Sequence, residues 1–291
     1  MTKQIKADLA LLLVALVWGA SFALMKQAIN YILPYTFLAY RYLIAALILC
    51  AVFYKSLKNI NAKTLRYGFL IGGVMFAGCA LQIIGLKYTT ASKSGFITGL
   101  NVIMVPLFIA IRYKKAPGIS TILSTIIALS GLCMLSISSP FTINIGDVLT
   151  FFCAIFFALQ VIFISKYSPM LDPFALTIVV LLTISLFSLI PAIFYEGMAA
   201  DLNPSSIFAL LFTAIFCSSL AYSLQMSVQK YTSATHAALI FMGEPVFSMI
   251  FSFIFLDERL SLKGAIGCVL VLAGMLISEF DSKAQAHGET V

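Results

Sequence analysis

Ten uninterrupted apolar stretches, near residues 9 to 28, 35 to 54, 65 to 86, 91 to 111, 120 to 138, 147 to 165, 173 to 195, 205 to 226, 233 to 255 and 262 to 280, leave this chain one solvent to fold in. Each approaches the roughly 20 residues that a helix needs to cross a hydrocarbon core about 30 Å thick. Pro, Lys, Asn or Ser punctuates the gaps between them. The stretches are about twice the length of a barrel strand and carry no period of two, so the pattern predicts an all-α polytopic membrane protein with ten transmembrane helices. Only 10% of the 291 residues are charged, against about a quarter in a soluble domain. Too few charges remain to cover a water-facing surface, which excludes a soluble enzyme, a nucleic-acid binder and a disordered chain.

The net charge of +7 follows from short basic clusters between apolar runs, where Lys and Arg set topology. With the amino terminus in the cytoplasm, the inner side holds twelve of the eighteen basic residues, among them Lys55, Lys58, Lys63, Arg66, Arg112, Lys114 and Lys115. Lys26, Arg41, Lys87, Lys93, Arg259 and Lys263 fall to the outer side. The expectation is therefore a multi-pass protein of the cell membrane with both termini cytoplasmic. Cys50, Cys79, Cys133, Cys153, Cys217 and Cys268 each lie in a different apolar run and read as reduced packing residues. The first run has no suitably placed small-residue cleavage site and is kept as a helix rather than a signal peptide.

An internal repeat adds a further constraint. Leu81 to Ala91 (LQIIGLKYTTA) recurs 143 residues later as Leu224 to Ala234 (LQMSVQKYTSA), identical at six of eleven positions. Gly131 aligns with Gly274 at the same offset, and Pro34 and Pro173 open stretches two and seven. Residues 1–143 and 144–291 are thus expected to form two five-helix repeats. Five is odd, so the second repeat enters the membrane inverted, a construction frequent in secondary transporters that rock between outward-open and inward-open states. Pro106 falls about one helical turn later in its repeat than Pro245 does, which predicts kinks at unmatched depths.

The segments Trp18-Gly19-Ala20-Ser21-Phe22, Tyr40-Arg41-Tyr42-Leu43-Ile44-Ala45-Ala46, Tyr88-Thr89-Thr90-Ala91 and Phe255-Leu256-Asp257-Glu258-Arg259-Leu260-Ser261 resemble the EamA family of the drug/metabolite transporter superfamily, over nearly the whole chain. The resemblance implies ten helices, a central cavity lined by spans one to four and six to nine, peripheral spans five and ten, and export of amino acids or other small metabolites. Its motifs identify the fold better than the substrate.

Glu244 is the only acidic residue deep in a stretch, about 18 Å from its inner end at 1.5 Å per residue. An ionisable group at that depth is costly and marks a functional site by default. It reads as a proton site, as an anchor for a substrate ammonium, or as a packing residue paired with Arg41. The repeat offset places Asn101 opposite Glu244, where a midplane site belongs, although an interhelical hydrogen bond serves Asn101 equally well. Arg41 fits three roles: a bidentate partner for a substrate carboxylate, a partner for Glu244, or a charge at the outer mouth. Gln82 and Gln225 are related by the repeat and Gln160 falls near the place of Ser21; all three serve as substrate contacts or as interhelical glue. His236, aligned with Lys93, is a proton relay or an interfacial residue. Trp18, Tyr40 and Tyr222 form a candidate aromatic lining or simply pack.

A metalloprotease needs His-Glu-x-x-His, and the chain has only His236 and His287; a paired-aspartate protease needs two intramembrane Asp, and none lies deep. No enzyme, metal or cofactor is expected. The expected partners are a small-molecule substrate, the lipid bilayer and protons, with the protein a monomer or weak dimer. The rival reading is a flippase for lipids or lipid-linked intermediates, which calls for a lateral opening with basic residues at headgroup depth.

Overall fold

The computed structural model describes residues 2–114, 117–136, 144–256 and 262–288. Lys115 of the basic cluster and Asp257 to Ser261 of the last motif lie outside the described residues. Apart from an isolated bridge between Ile32 and Ala200, the regular structure among the described residues is helical. In chain order the helices are α1 (Lys3–Ala28), α2 (Pro34–Val52), α3 (Ala62–Tyr88), α4 (Ala91–Gly99), α5 (Asn101–Tyr113), α6 (Ile119–Ser136), α7 (Ile145–Tyr167), α8 (Pro173–Glu196), α9 (Pro204–Phe212), α10 (Ala221–Val228), α11 (Ala234–Phe241), α12 (Gly243–Leu256) and α13 (Leu262–Gly288). A π-helical segment, Thr213–Leu220, joins α9 to α10.

Short polar residues start these helices by satisfying the first free backbone N–H groups. Asn61 caps α3, Thr90 caps α4, Asn203 caps α9 and Ser233 caps α11, while Asn144 and Asp147 form a reciprocal capping box on α7. Pro173 and Pro204 occupy first-turn positions, where a missing N–H costs nothing. Among the described residues, seven segments are by length and composition apolar enough to cross a membrane: Lys3–Ala28, Pro34–Val52, Ala62–Tyr88, Lys93–Tyr113, Ile145–Met170, Pro173–Glu196 and Pro204–Tyr231. Ile119–Met134 and Ala265–Ile277 are shorter apolar helices. The protein is a multi-pass helical membrane protein.

Besides the stretch that carries the π segment, two stretches hold two helices each, and the breaks correct the expectation drawn from proline. The chain breaks at Leu100, between α4 and α5, and at Met242, between α11 and α12. These positions are 142 residues apart, one from the repeat offset, so the interruptions are matched in depth. Proline is not what sets them. Pro245 lies in the first turn of α12, after the break, and Pro106 lies inside α5. Gly99, a poor helix former, precedes Leu100, and Gly243 follows Met242.

Side-chain burial divides into two apolar clusters, one around Phe37, Tyr42, Ile71 and Leu181, the other around Leu11, Val105, Ala238 and Val271. Helix α1 packs on α12 and on the α9–α10 segment, α7 on α3, α4 and α5, α2 on α8, and α6 on α13. The last pair crosses at Gly131 and Gly274. A Cβ on Gly131 would sit 2.5 Å from the carbonyl oxygen of Gly267 and 2.7 Å from the backbone nitrogen of Val271. One on Gly274 would sit 2.7 Å from the carbonyl oxygen of Ser124 and 2.9 Å from the nitrogen of Ala128. Both pairs of contacted residues are themselves 143 apart in number.

Candidate functional site

Between the two clusters lies a cavity of about 50 Å³, lined by Trp18, Ser21, Phe22, Met25, Arg41, Tyr42, Cys79, Gln82, Thr98, Asn101, Phe157, Gln160, Val161, Tyr222, Phe241 and Glu244. It admits roughly three or four waters. Of the residues singled out in the sequence, Trp18, Arg41, Gln82, Asn101, Gln160, Tyr222 and Glu244 line this space; Tyr40, Gln225 and His236 do not.

Helix geometry explains the exceptions. Tyr40 and Tyr42 flank Arg41, but on a helix they point about 200° apart. It is Tyr42 that turns inward, with its hydroxyl 3.0 Å from the Cys79 sulfur. Gln225 stands behind the wall: its Oε1 accepts from Gln160 Nε2 at 2.9 Å and its Nε2 donates to Gln229 Oε1 at 2.8 Å. Gln229 in turn donates to the Val161 carbonyl and to Ser165 Oγ, so a fully buried amide chain ties α10 to α7. His236 lies in the first turn of α11, outside the cavity lining, with Nε2 3.5 Å from Asp8 Oδ1.

Arg41 is buried, with 5% of its surface exposed. Its Nε donates to Ser218 Oγ at 2.8 Å, Nη1 points at the Met25 sulfur at 3.1 Å, and the guanidinium lies 5.1 Å from the Tyr42 ring centroid. Glu244 occupies the first turn of α12, where the free N–H groups and helix dipole favour a carboxylate, and Asn101 is the first residue of α5. Both broken helices therefore present an amino-terminal end beside the cavity. Among the described residues the ion pairs are Lys93–Asp147 and His236–Asp8, so the guanidinium and the carboxylate share the cavity without pairing with each other.

The π segment supplies partners that the sequence did not reveal. Widening the hydrogen-bond ladder displaces carbonyls, a feature frequent at functional sites. The Cys217 carbonyl accepts from Trp18 Nε1 at 2.9 Å, and Ser218 holds Arg41. Trp18 packs between the rings of Tyr222 and Phe241, at centroid distances of 5.3 and 5.2 Å. In the sequence, the adjacent serines 218 and 219 stand within an apolar run without a motif that marks them. Cys79 and Cys217, read as packing residues, do touch the site. A second recess, about 810 Å³ and largely apolar, lies behind α1 between α9 and α12, with Lys26, Gln27 and Asn30 at one end. Gly19 lies on this recess, and a Cβ there would come within 2.6 Å of the Glu244 carbonyl oxygen, so α1 and α12 touch between the two spaces.

A bundle of membrane helices around a small cavity lined by one arginine and one glutamate fits a transport protein. Comparison with known proteins agrees. The EamA-like transporter family matches residues 5–137 and again 144–280, and the chain belongs to that family. An uncharacterized transporter of Archaeoglobus fulgidus is 36% identical over 94% of this chain and 86% of its own length. The uncharacterized transporter YvbV of Bacillus subtilis is 26% identical over 96% of this chain and 94% of its own. A solved crystal structure superposes with a TM-score of 0.79 over 96% of this chain and 98% of that one, at 16% identity, which speaks for the fold alone.

Proposed function

We propose that the protein is a ten-span secondary transporter, built from two inverted five-helix repeats divided at 143/144, that exports amino acids or related small zwitterions across the cytoplasmic membrane by proton-coupled alternating access. The observation that carries the substrate class is the unpaired coexistence of Arg41 and Glu244 on one cavity. A carboxylate of the substrate meets the Arg41 guanidinium and its ammonium meets Glu244; between loads, Glu244 takes a proton. Trp18, Tyr222 and Phe241 face the side chain.

The cavity lining supports the repeat. Cys79 and Tyr222, Thr98 and Phe241, and Asn101 and Glu244 all line it and are all 143 apart; Trp18 and Phe157, Ser21 and Gln160, and Phe22 and Val161 line it 139 apart. Arg41 and Tyr42 break the pattern, since the same offset of 139 leads to Val180 and Leu181. The guanidinium therefore belongs to one half only. The basic clusters favour cytoplasmic termini. A cavity of about 50 Å³ is smaller than an amino acid, so loading requires its walls to part, as alternating access demands.

The flippase reading rests on the recess that holds Lys26, which has the lateral position and the basic end such a function calls for. It is the weaker of the two, because the recess is largely apolar while the buried charges gather in the other space. A thermal-shift series on purified protein separates them. Zwitterionic amino acids at about 100 Kd raise stability by about 2.7 kcal/mol, and analogues lacking either the carboxylate or the amine raise it less. Stabilisation by phospholipid alone, with no response to any zwitterion, would favour the flippase.

A further inference from the structure

Two side-chain triads outside the cavity carry an inference that rests on the alternating-access reading and deepens it. At one end of the bundle Asp147, in the first turn of α7, accepts a hydrogen bond from Thr89 at 2.6 Å and pairs with Lys93 at 2.8 Å. At the other, Asp8 in α1 lies 3.5 Å from His236 Nε2. The residues of the two sites are related by the repeat offsets. Thr89 and Lys93 become Thr232 and His236 at the offset of 143, and Asp8 becomes Asp147 at the offset of 139 that also relates Ser21 to Gln160. Each triad takes its carboxylate from one half of the chain and its hydroxyl and base from the other.

The two ends are well separated. Lys26 of α1 donates to the Leu86 and Thr89 carbonyls, beside the Asp147 triad, and Asp8 lies about 27 Å back along the same helix. They also differ in state. The triad at Asp147 is closed by a hydroxyl and an ammonium at hydrogen-bonding distance. At the amino-terminal end, neither oxygen of Asp8 accepts a hydrogen bond and the Thr232 hydroxyl has no partner, although all three atoms are buried. Buried polar atoms without hydrogen bonds are costly, so a conformation that supplied those bonds would be favoured at this end.

We propose that Thr89–Lys93–Asp147 and Thr232–His236–Asp8 are repeat-related latches that close the two ends of the bundle in alternation, the first fully hydrogen-bonded and the second held only by the longer His236–Asp8 ion pair in this conformation. Rocking one half against the other lengthens one set of contacts as it shortens the set related to it by symmetry. Making one latch therefore releases the other. Neither triad lines the cavity, so these are positioning residues for the conformational step rather than substrate contacts.

The test is hydrogen–deuterium exchange on the full-length protein in detergent or nanodiscs, without substrate. Asp147→Asn is expected to speed exchange in residues 89–96 and 144–150 by about tenfold or more and to slow it in residues 2–9 and 232–238, because a charge-assisted bond is lost at one end and the population shifts toward closure of the other. His236→Lys, which gives the amino-terminal latch the base of its counterpart, is expected to produce the same reciprocal shift without touching Asp147. Faster exchange confined to residues 89–96 and 144–150, or no change at the far end with His236→Lys, would overturn the proposal. If Asp147→Asn does not fold, Thr89→Val keeps the ion pair, removes one hydrogen bond and carries the same expectation. The readout needs no cargo: reciprocity without zwitterion binding would reject the substrate class and keep the latches, while zwitterion binding without reciprocity would do the reverse.

Discussion

Adding one methyl group at Gly131 or Gly274 sets two effects of known size against each other. Alanine favours a helix interior by about 1 kcal/mol over glycine. Against this, the new Cβ would lie 2.5 Å from the Gly267 oxygen in one case and 2.7 Å from the Ser124 oxygen in the other, both backbone atoms with no rotamer to escape into. Relief requires α6 and α13 to separate by about 0.7 Å, and a gap of that order forfeits about a quarter to a half of the dispersion energy along the seam. Overpacking of this kind typically costs about 1–3 kcal/mol. The net expectation is destabilisation by about 0–2 kcal/mol for each variant, and by similar amounts for the two because their surroundings are related. Gly73→Ala is the control: its Cβ would meet only the ring edge of Phe187 at 3.4 Å, and stability should rise by about 0.5–1 kcal/mol. Thermal unfolding in detergent reads the difference, at about 2–4 °C per kcal/mol. If Gly131→Ala and Gly274→Ala raise the midpoint as Gly73→Ala does, the close crossing of α6 and α13 is wrong.

Gln225→Leu removes the middle of the buried amide chain and orphans Gln160 and Gln229, so unfolding should become easier by about 1–3 kcal/mol while the Gln82→Leu variant, whose amide makes one longer bond of 3.3 Å, loses less. For substrate affinity, Asn101→Ala and Glu244→Gln should be non-additive by about 0.5–3 kcal/mol, since both line one cavity, whereas either should add with His236→Ala to within about 0.5 kcal/mol. Cysteines at the exposed positions Lys58 and Asn30 should label from opposite sides with an impermeant thiol reagent, Asn30 from outside intact cells and Lys58 only after permeabilisation; the reverse pattern would invert the proposed orientation.

The helical class was legible because its signal is summed over whole segments. Ten apolar runs and a repeat of six identities in eleven survive any local irregularity. Glu244, Asn101 and Arg41 were legible for a related reason, as polar groups standing out in apolar runs, and all three line the cavity. What stayed hidden depends on a few degrees of helix rotation or on one inserted ladder position. Tyr40 and Tyr42 are equivalent neighbours of Arg41 in sequence, and only the seating of α2 on α8 turns Tyr42 toward Cys79. Ser218 becomes an arginine partner through the π segment, which leaves no composition signature. The helix breaks were sought at proline, whereas they fall at Leu100 and Met242, next to glycines. No local motif singles out Asp8 or Asp147, and their relationship emerges only when a 139-residue offset is applied to the start of each half.

The central claim is that a zwitterion crosses the membrane between Arg41 and Glu244, and counterflow in proteoliposomes tests it most directly. Vesicles preloaded with a mixture of unlabelled amino acids are diluted into the radiolabelled mixture, for the wild-type protein and for Arg41→Met and Glu244→Gln variants whose thermal midpoints confirm folding. The account predicts uptake by the wild type above protein-free vesicles and a fall of at least about 30-fold for each variant, since truncating one side of a buried charge contact costs 2–5 kcal/mol. Wild-type vesicles no better than empty ones, or both variants transporting at the wild-type rate between about pH 6 and 8, would contradict it.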